Sequence, residues 1–156
     1  MSINRRLQWY LDSHHIEYDV LPHGHTNSMS ESARAAHIPR GLVAKCVLFE
    51  DERGYVMAVV PASCRVNMDR LERATGRHLE LASESELTDI FIGCERGAIP
   101  PMGNAYNIPT AIDECLLRVP DVYFEEGDHA GLVHVSGADF RSLGWNTAYG
   151  QLGRPV

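Results

Sequence analysis

Two apolar runs joined by a short polar turn constrain the fold of this chain more than any other feature. Residues 43–50 read VAKCVLFE, residues 55–61 read YVMAVVP, and DERG separates them. Runs rich in Val, Phe and Tyr favour strands, and a turn of this length between two of them indicates a β-hairpin. The sequence therefore predicts a sheet organised around one antiparallel pair of strands.

Helical and strand patterns alternate along the rest of the chain. An amphipathic helix is predicted over residues 3–14, because apolar residues fall there at helical spacing: Ile3, Leu7, Tyr10 and Leu11. Capping signals predict three more helices, which open at Ser28 (with Glu31 three residues on), at Asn67 and at Ser83. Short strands are expected in IEYDVL, HLELA, TAID, DVYFEE and LVHVS, a helical turn in SGADFRSL, and an irregular tail over residues 144–156.

This interleaving lacks strict βαβ alternation. It therefore predicts an α+β fold, with a mixed, largely antiparallel and partly barrel-like sheet flanked by helices. A length of 156 residues suits one compact domain, residues 1–156. The apolar content of 44% and the charged content of 22% are ordinary for a globular protein.

Charge, cysteine spacing and hydropathy exclude several classes of function. A net charge of −7 argues against a protein that coats DNA or RNA, so any RNA contact must be local, weak or shared with a partner. The four cysteines form no CxxC pair, and no nucleotide-binding fingerprint is present, so we expect no metal and no cofactor. Without a signal peptide or a membrane-spanning run, a reduced cytoplasmic protein is expected.

The chain has 14 basic residues, of which Lys45 alone is lysine. Lys45 lies at the start of the first apolar run, where a charged side chain needs a partner. Lysine is a compact point charge whose pKa responds to burial, whereas arginine is a wide planar fork. The partner of Lys45 is therefore either a structural carboxylate or a bound ligand.

The segment at residues 94–109, CERGAIPPMGNAYNIP, is the most unusual loop of the chain. Its glycines allow the backbone to approach a ligand, and its consecutive prolines make that approach rigid. Such a loop can offer backbone N–H groups to an oxyanion, a carbonyl or a phosphate. A plain surface turn is the alternative interpretation.

Three histidines lie in predicted loops. His23 and His25 form an HxH pair, but no third ligand is identifiable, so loop-packing or solvated histidines are the simpler interpretation. His129 follows Asp128 at a predicted turn, where an imidazole could act as an acid, a base or a substrate contact, or could serve structure alone.

Two further features have both a structural and a functional interpretation. Cys46 should point to the strand face opposite Lys45, which favours a core cysteine over a nucleophile. A group of arginines surrounds the predicted helix that begins after Asn67, and it is either a solvated face or a phosphate-facing patch: Arg65, Arg70, Arg73 and Arg77.

Six stretches, taken in order, resemble the YbaK/prolyl-tRNA synthetase-associated family of aminoacyl-tRNA editing domains. They are AAHIP, VAKCVLF, YVMAVVPAS, ATGRHLELASESEL, GAIPPMG and VYFEEGDHAGLVHVSGADF. The similarity is strongest over residues 17–143. Any one stretch would be a weak signal, but their common order and spacing make the resemblance specific.

The resemblance implies a deacylase that hydrolyses the ester between a wrong amino acid and its tRNA. The essential lysine of the family falls on Lys45, and a histidine of its alanine-editing branch falls on His129. The GxxxP loop of the family falls on residues 97–101 and implies a substrate-binding segment that we extend to residue 103: Gly97, Ala98, Ile99, Pro100, Pro101, Met102 and Gly103. We expect Cys46 and His129 to line the substrate-binding site together with this segment. Cys46 and Met102 depart from the residues usual in the family, so the identity of the substrate cannot be transferred.

The implied reaction does not require a strong nucleophile. An aminoacyl ester is already activated, so positioning and oxyanion stabilisation suffice, with Lys45 as a substrate clamp and water or a substrate group attacking. The acidic net charge predicts weak, salt-sensitive tRNA binding, with help from a synthetase or an elongation partner. Two alternatives remain: a Schiff-base enzyme that uses Lys45, and a non-catalytic module that binds tRNA or a synthetase.

Overall fold

The computed structural model describes residues 3–26, 29–95, 98–143 and 149–156. Five α-helices run over α1 Arg5–Ser13, α2 Met29–Ala35, α3 Met68–Thr75, α4 Glu84–Ile90 and α5 Gly137–Ser142. Ten strands run over β1 Asp19–Pro22, β2 Ala44–Asp51, β3 Gly54–Pro61, β4 Cys64–Val66, β5 Glu80–Leu81, β6 Thr110–Asp113, β7 Asp121–Glu125, β8 Gly131–Ser136, β9 Tyr149–Gly150 and β10 Gly153–Pro155. Short 3₁₀ turns occupy Arg40–Leu42, Gly103–Tyr106 and Glu114–Leu117.

The predicted hairpin forms the centre of the largest sheet. β2 and β3 pair antiparallel from Ala44 opposite Pro61 to Asp51 opposite Gly54, so the DERG segment is the turn. This sheet has the order β5-β2-β3-β6-β9, and its last two pairings are parallel. A second sheet, β1-β8-β7, and a two-stranded ribbon, β10-β4, are antiparallel. The predicted α+β fold with a mixed sheet is confirmed.

The helix boundaries follow the capping signals in the sequence. The Asn67 side chain accepts a hydrogen bond from the Arg70 N–H at the start of α3, and Gly76 ends that helix in the left-handed conformation. Ser83 and Glu86 form a reciprocal capping box at α4. Ser28, the predicted cap of α2, lies outside the described residues.

The predicted irregular tail is wrong for residues 149–156. β9 pairs with β6, and β10 pairs with β4, which the sequence analysis also missed. These strands are two or three residues long, so they carry no alternation that a pattern could reveal. Buried Asp113 holds this segment, because its Oδ2 accepts hydrogen bonds from the N–H groups of Leu152 (3.0 Å) and Gly153 (2.7 Å). The other tail residues, 144–148, lie outside the described part of the chain.

The two faces of β2 pack against different groups of residues. Ala44 and Leu48 belong to the main core, beneath α1 and the 3₁₀ turn at Gly103–Tyr106. On the other face, Phe49 packs in a smaller cluster with Leu71 of α3. Within the described ranges, no helix has both the length and the apolar character needed to cross a bilayer.

Candidate functional site

Lys45 occupies the second position of β2, directly opposite Val60 of β3. Its side chain is half-buried, and it makes no hydrogen bond or ion pair with any residue that the structure describes. Burial lowers the pKa of the Lys45 ammonium, and the positive charges of Arg65 and Arg40 lower it further, although Cys64 acts in the opposite sense. Of the two partners considered for Lys45, a structural carboxylate is therefore absent from the described residues.

A backbone bridge just before β2 determines which residue of β7 lies beside Lys45. Val43, just before β2, forms a parallel bridge with Tyr123 of β7, and the two side chains pack with Ala33 of α2. Residues two positions further along a strand share the same face. Lys45 and Glu125 are therefore level with each other on neighbouring strands, on the face that α2 covers.

Glu125 forms a buried ion pair with His129. The two side chains are 0% and 2% exposed, and Oε1 of Glu125 lies 3.0 Å from Nδ1 of His129. Burial raises the pKa of Glu125, while hydrogen bonding by Ser32 of α2 and the charge of His129 oppose that rise. This arrangement holds the imidazole in a defined orientation on the side of the sheet where Lys45 lies.

The turn that carries His129 is strained and tightly bonded. His129 has φ 56°, in the left-handed region that costs a residue with a side chain roughly 1 kcal/mol. The carbonyl of His129 accepts a hydrogen bond from the Thr26 N–H at 3.1 Å. The Asp128 side chain accepts one from the Ala130 N–H at 3.0 Å. Since the surrounding bonds hold this conformation, the position of His129 is determined by the fold.

A chain of polar contacts connects the His129 turn to the unusual loop. His25 lies edge-on to His129, with 6.3 Å between ring centroids, and its Nε2 is 2.8 Å from Oε1 of Glu95. The Glu95 N–H donates to the Gly127 carbonyl at 2.7 Å, and the Glu95 carbonyl accepts from the Ala98 N–H at 3.0 Å. Glu95 therefore joins the start of the loop to the β7–β8 turn.

The loop from residue 98 to residue 103 is largely buried. Gly97, the first glycine of the predicted motif, lies outside the described residues. Pro100 and Pro101 have no N–H, and the Ala98 N–H is used by Glu95. In the described parts of the chain, no acceptor faces the N–H groups of Ile99, Met102 and Gly103. Because buried amides normally have partners, these three donors suit a ligand oxygen.

Cys46 lies against the loop as a neutral thiol. Its Sγ is 3.4 Å from the Ile99 carbonyl oxygen and 4.0 Å from that of Pro100. Burial raises the pKa of Cys46 to about 12, so the thiolate is not available near neutral pH. Cys46 therefore acts as a packing residue that fixes the loop against β2, on the face opposite Lys45, in line with its predicted core position.

Two other residues of the predicted substrate-binding loop have structural roles. Met102 is 1% exposed and packs in the main core. A side chain at Gly103 would collide with Oγ1 of Thr110 and the carbonyl oxygen of Ile108, because an added Cβ would lie 1.9 Å and 2.7 Å from them. Gly103 is therefore required for close packing of the loop against β6.

The predicted arginine group does not form one patch. Arg77 is neutralised by Asp51, with Nε 2.8 Å from Oδ2, and this pair is almost fully buried. Arg65 is exposed on β4, and Arg70 and Arg73 are exposed on α3. Only the exposed members remain available to a phosphate.

No set of three or more His, Cys, Asp or Glu side chains in residues 3–26, 29–95, 98–143 and 149–156 is arranged to hold a metal ion. His23 and His25 of the HxH pair have separate partners: Nδ1 of His23 lies 2.7 Å from the Gly24 carbonyl oxygen, and His25 contacts Glu95.

Sequence reasoning missed Glu95 and Glu125, which organise the site. Glu125 lies four residues before His129, but Glu125 ends β7 and His129 lies in the turn that follows, so the spacing has no helical meaning. An acidic residue inside an apolar strand run, as in DVYFEE, is the one signal that could have identified Glu125.

The sequence of the chain matches the family described as the aminoacyl-tRNA editing domain over residues 23–143. This chain belongs to the aminoacyl-tRNA editing domain family. The match extends over most of the chain and contains Lys45, the described loop, and the Glu125–His129 pair. The resemblance drawn from the sequence is thereby confirmed.

Solved structures share this editing-domain fold. One is described as a candidate trans-editing enzyme for prolyl tRNA synthetase; it is 25% identical, with a TM-score of 0.80 over 96% of both chains. The hypothetical protein APE2540 is 19% identical, with a TM-score of 0.83 over 96% of this chain and 100% of that chain. A candidate signal transduction protein from Marinobacter aquaeolei VT8 is 17% identical, with a TM-score of 0.79, over 97% of this chain and 31% of its own. The last two similarities concern the fold alone. No curated protein sequence matches the chain.

Proposed function

We propose that the protein is a trans-acting aminoacyl-tRNA deacylase, which hydrolyses the ester of a mischarged tRNA carrying a small amino acid. The observation that carries this proposal is the half-buried Lys45 ammonium, which has no counter-charge among the described residues. A buried cation without a protein partner is unfavourable in the free protein, and a ligand oxygen relieves that cost. Family membership supports an aminoacyl-tRNA as the source of that oxygen.

The proposed reaction is a simple ester hydrolysis. The oxygen of the attacking water bonds to the ester carbonyl carbon, the bond from that carbon to the ribose oxygen breaks, and the ribose oxygen takes up a proton. Lys45 holds the ribose, phosphate or carbonyl oxygen on its own face of β2. The loop meets β2 at the neighbouring residue, Cys46, and offers its amides, including those of Ile99 and Met102, to the developing oxyanion. Cys46 takes no covalent part, because its thiol is neutral and directed at the loop.

His129 is assigned to substrate contact. The Glu125 carboxylate fixes the ring through Nδ1, and an imidazole held in one orientation suits a positioned contact to the substrate. The synthetase pocket discriminates poorly between small side chains, so a second site that admits only the smaller product corrects the error. The reaction belongs in the cytoplasm with translation, with the aminoacyl-tRNA as the partner and a synthetase as a further candidate partner.

The test is deacylation of a panel of mischarged tRNAs by the purified full chain, starting with alanyl- and cysteinyl-tRNA for proline. The solved structure named for prolyl tRNA synthetase supports that starting point. Release of an amino acid faster than in buffer is expected, with nearly complete loss in Lys45→Ala. Val47→Ala, on the same face of β2, is the matched control because it removes side-chain volume but no charge.

The two alternatives predict different outcomes. A non-catalytic module would bind the tRNAs and release no amino acid from any of them. A Schiff-base enzyme would be trapped covalently at Lys45 by borohydride with a carbonyl substrate, whereas the proposed deacylase forms no imine. Full activity in Lys45→Ala would contradict the assigned role of Lys45 and leave the deacylase assignment intact.

A further inference from the structure

Two arginines lie directly opposite each other on the β4–β10 ribbon. Arg154 of β10 is the register partner of Arg65 of β4, and both side chains are exposed. Directly opposed residues of an antiparallel pair extend from the same face, with their Cβ atoms about 5 Å apart. We refer to Arg65 and Arg154 as the arginine pair.

The arginine pair is electrostatically unfavourable in the protein alone. Like charges directly opposite each other destabilise a strand pairing. Two other arginines have acidic partners, Arg77 with Asp51 and Arg118 with Glu114. Neither Arg65 nor Arg154 has an ion pair or a side-chain hydrogen bond with any of the residues the structure describes. Their charges are therefore available to a ligand.

The fold holds the arginine pair in place despite this repulsion. Asp113, which is 2% exposed, binds the backbone of β10 through the Leu152 and Gly153 N–H groups. The Asn67 N–H donates to the Leu152 carbonyl at 2.7 Å, and the Val156 N–H donates to the Ser63 carbonyl at 3.1 Å. Bonds at both ends of the ribbon therefore fix the position of two like charges.

The arginine pair adjoins the candidate site. Val60 of β3 lies directly opposite Lys45, and β4 begins three residues after β3 ends, so the ribbon that carries the arginine pair starts at the Lys45 end of β2. The positive charges of Arg65 and Arg40 lower the pKa of Lys45, after the larger effect of burial. Arg40 is exposed in the 3₁₀ turn just before β2. Exposed Arg40, Arg65 and Arg154 therefore add positive charge around the Lys45 end of β2, in a chain whose net charge is −7.

We propose that the arginine pair, flanked by Arg40, binds the phosphate backbone near the aminoacylated end of the tRNA and so delivers the ester to Lys45. This inference rests on the proposed function, and it names the surface that receives the RNA. Guanidinium forks bind phosphate oxygens in two-point contacts. An acidic protein repels RNA over most of its surface, so a small basic surface beside the site fixes the register of the RNA without contacting bases.

The test is RNA binding by the double variant Arg65→Gln/Arg154→Gln, measured by fluorescence anisotropy with a labelled, uncharged tRNA acceptor-stem hairpin over a range of salt concentrations. Each lost phosphate contact should reduce the slope of log affinity against log salt by about 0.7–0.9. We expect the slope to fall by between one and two and the affinity at low salt to fall on the order of 10-fold or more. An unchanged slope and affinity would overturn the proposal.

The matched control is Arg53→Gln. Arg53 is exposed in the β2–β3 turn, at the opposite end of β2 from Lys45, roughly 20 Å away along the strand. Arg53→Gln removes one positive charge far from the site, so it should leave the slope of log affinity against log salt unchanged. An equal effect per charge at Arg53 would contradict the proposal, because it would show a net-charge effect instead of a local contact.

A second substrate separates this proposal from the proposed function. An aminoacyl nucleoside ester has no phosphate backbone, so the double variant should lose far less rate with it than with aminoacyl-tRNA. If the unmodified chain hydrolyses neither substrate while the double variant weakens RNA binding, the deacylase function fails and the RNA-binding surface stands. If the chain hydrolyses both substrates and the double variant binds RNA normally, the surface fails and the function stands.

Discussion

The charged residue at one end of β2 has an ionic partner, whereas the charged residue at the other end has none among the described residues. At the end of the strand, Asp51 is held by Arg77, whose guanidinium also donates to the Gly54 carbonyl at 3.0 Å. At the beginning, half-buried Lys45 has no partner among the described residues and is repelled by Arg65. The fold thus satisfies the charge at one end and leaves the charge at the other end for a ligand.

This difference separates a structural charge from a functional one by physical criteria. Arg77 lowers the pKa of Asp51 to about 2, so the folded state stabilises the charged form of that carboxyl. Burial lowers the pKa of Lys45, so the folded state disfavours its charged form. Removing the first charge should cost stability and spare activity, and removing the second should do the reverse.

The largest expected effect is on catalysis, at Lys45. We expect Lys45→Ala to lower kcat/KM for a mischarged tRNA on the order of 10²–10³-fold, as for loss of one charge-stabilising group. Lys45→Arg should retain little activity, because it keeps the charge but not the shape. Thermal unfolding should show the same Tm or a higher one in both variants. A large fall in Tm would mean that Lys45 is a structural residue.

The next effect is on stability, at the other end of the strand. Arg77→Met leaves the Asp51 carboxylate buried and unpaired, so Tm should fall by several degrees or more, on the order of 5–10 °C. Activity per folded molecule should not change. Arg118→Gln, which breaks an exposed pair with Glu114, is the control and should move Tm by about a degree at most. A drop in kcat/KM for Arg77→Met at a temperature where it is folded would contradict the comparison.

The pH dependence of the Asp51 contribution follows from its lowered pKa. A carboxyl that is more acidic in the folded state stabilises the protein above its unfolded pKa of about 4, and this stabilisation is lost as pH falls from about 4 towards 2. In Arg77→Met this contribution is absent, so the stability difference between the two proteins should be largest above about pH 4 and should shrink as pH falls towards 2. Stability curves against pH for both proteins measure this difference.

Glu126 sharpens the comparison, because it is a buried charge that can be removed by protonation. It is 1% exposed, and neither carboxylate oxygen has a hydrogen-bond partner in the described residues. Burial, with smaller effects from Asp128 and Glu125, raises the pKa of Glu126 to about 7. The contribution of Glu126 to stability should therefore be most favourable below about pH 4.5 and should become less favourable between pH 4.5 and pH 7.

We expect Glu126→Gln to stabilise the protein at pH 8 by about 2 kcal/mol and to have little effect at pH 4. Urea unfolding at the two pH values measures the difference. Glu17→Gln, an exposed change on the loop before β1, is the control and should be neutral at both. Destabilisation by Glu126→Gln at pH 8 would show that the Glu126 charge has a partner and resembles Asp51 instead of Lys45.

The smallest effect is at the Glu125–His129 pair. His129→Ala should lower kcat/KM partially, by about 10-fold, as for a contact that assists positioning. If Glu125 acts through His129, Glu125→Ala should cause a similar loss, and the double variant should lose little more than either single variant. Glu125→Gln, whose amide oxygen still accepts from the imidazole, should restore most of the activity. Fully additive losses would contradict a shared role.

Much of the fold was predictable because its signals are local. The hairpin and the Asn67 and Ser83 caps depend on residues close in sequence, and the structure confirms each of them. β9 and β10 were not predictable, because each is defined only by its pairing with a strand far away in the chain. An irregular sequence can pair when buried Asp113 satisfies its backbone.

The candidate site was likewise predictable only in part. Lys45 and the loop were conspicuous in the sequence, since one is a single lysine and the other is rich in glycine and proline. The ion pair of His129 with Glu125 and the bonds of Glu95 to two segments depend on how loops meet in three dimensions. The sequence also grouped Arg77 with Arg65, although folding buries one in an ion pair and leaves the other exposed.

The sequence by itself determined the hairpin, the helix boundaries and the family of this chain, because local periodicity, capping residues and ordered motifs carry that information. Tertiary structure alone decided which charges have partners, since ion pairing depends on side chains brought together across the chain. Lys45 is the clearest case. Its presence at the start of a strand is a property of the sequence, whereas its lack of a partner there is a property of the fold.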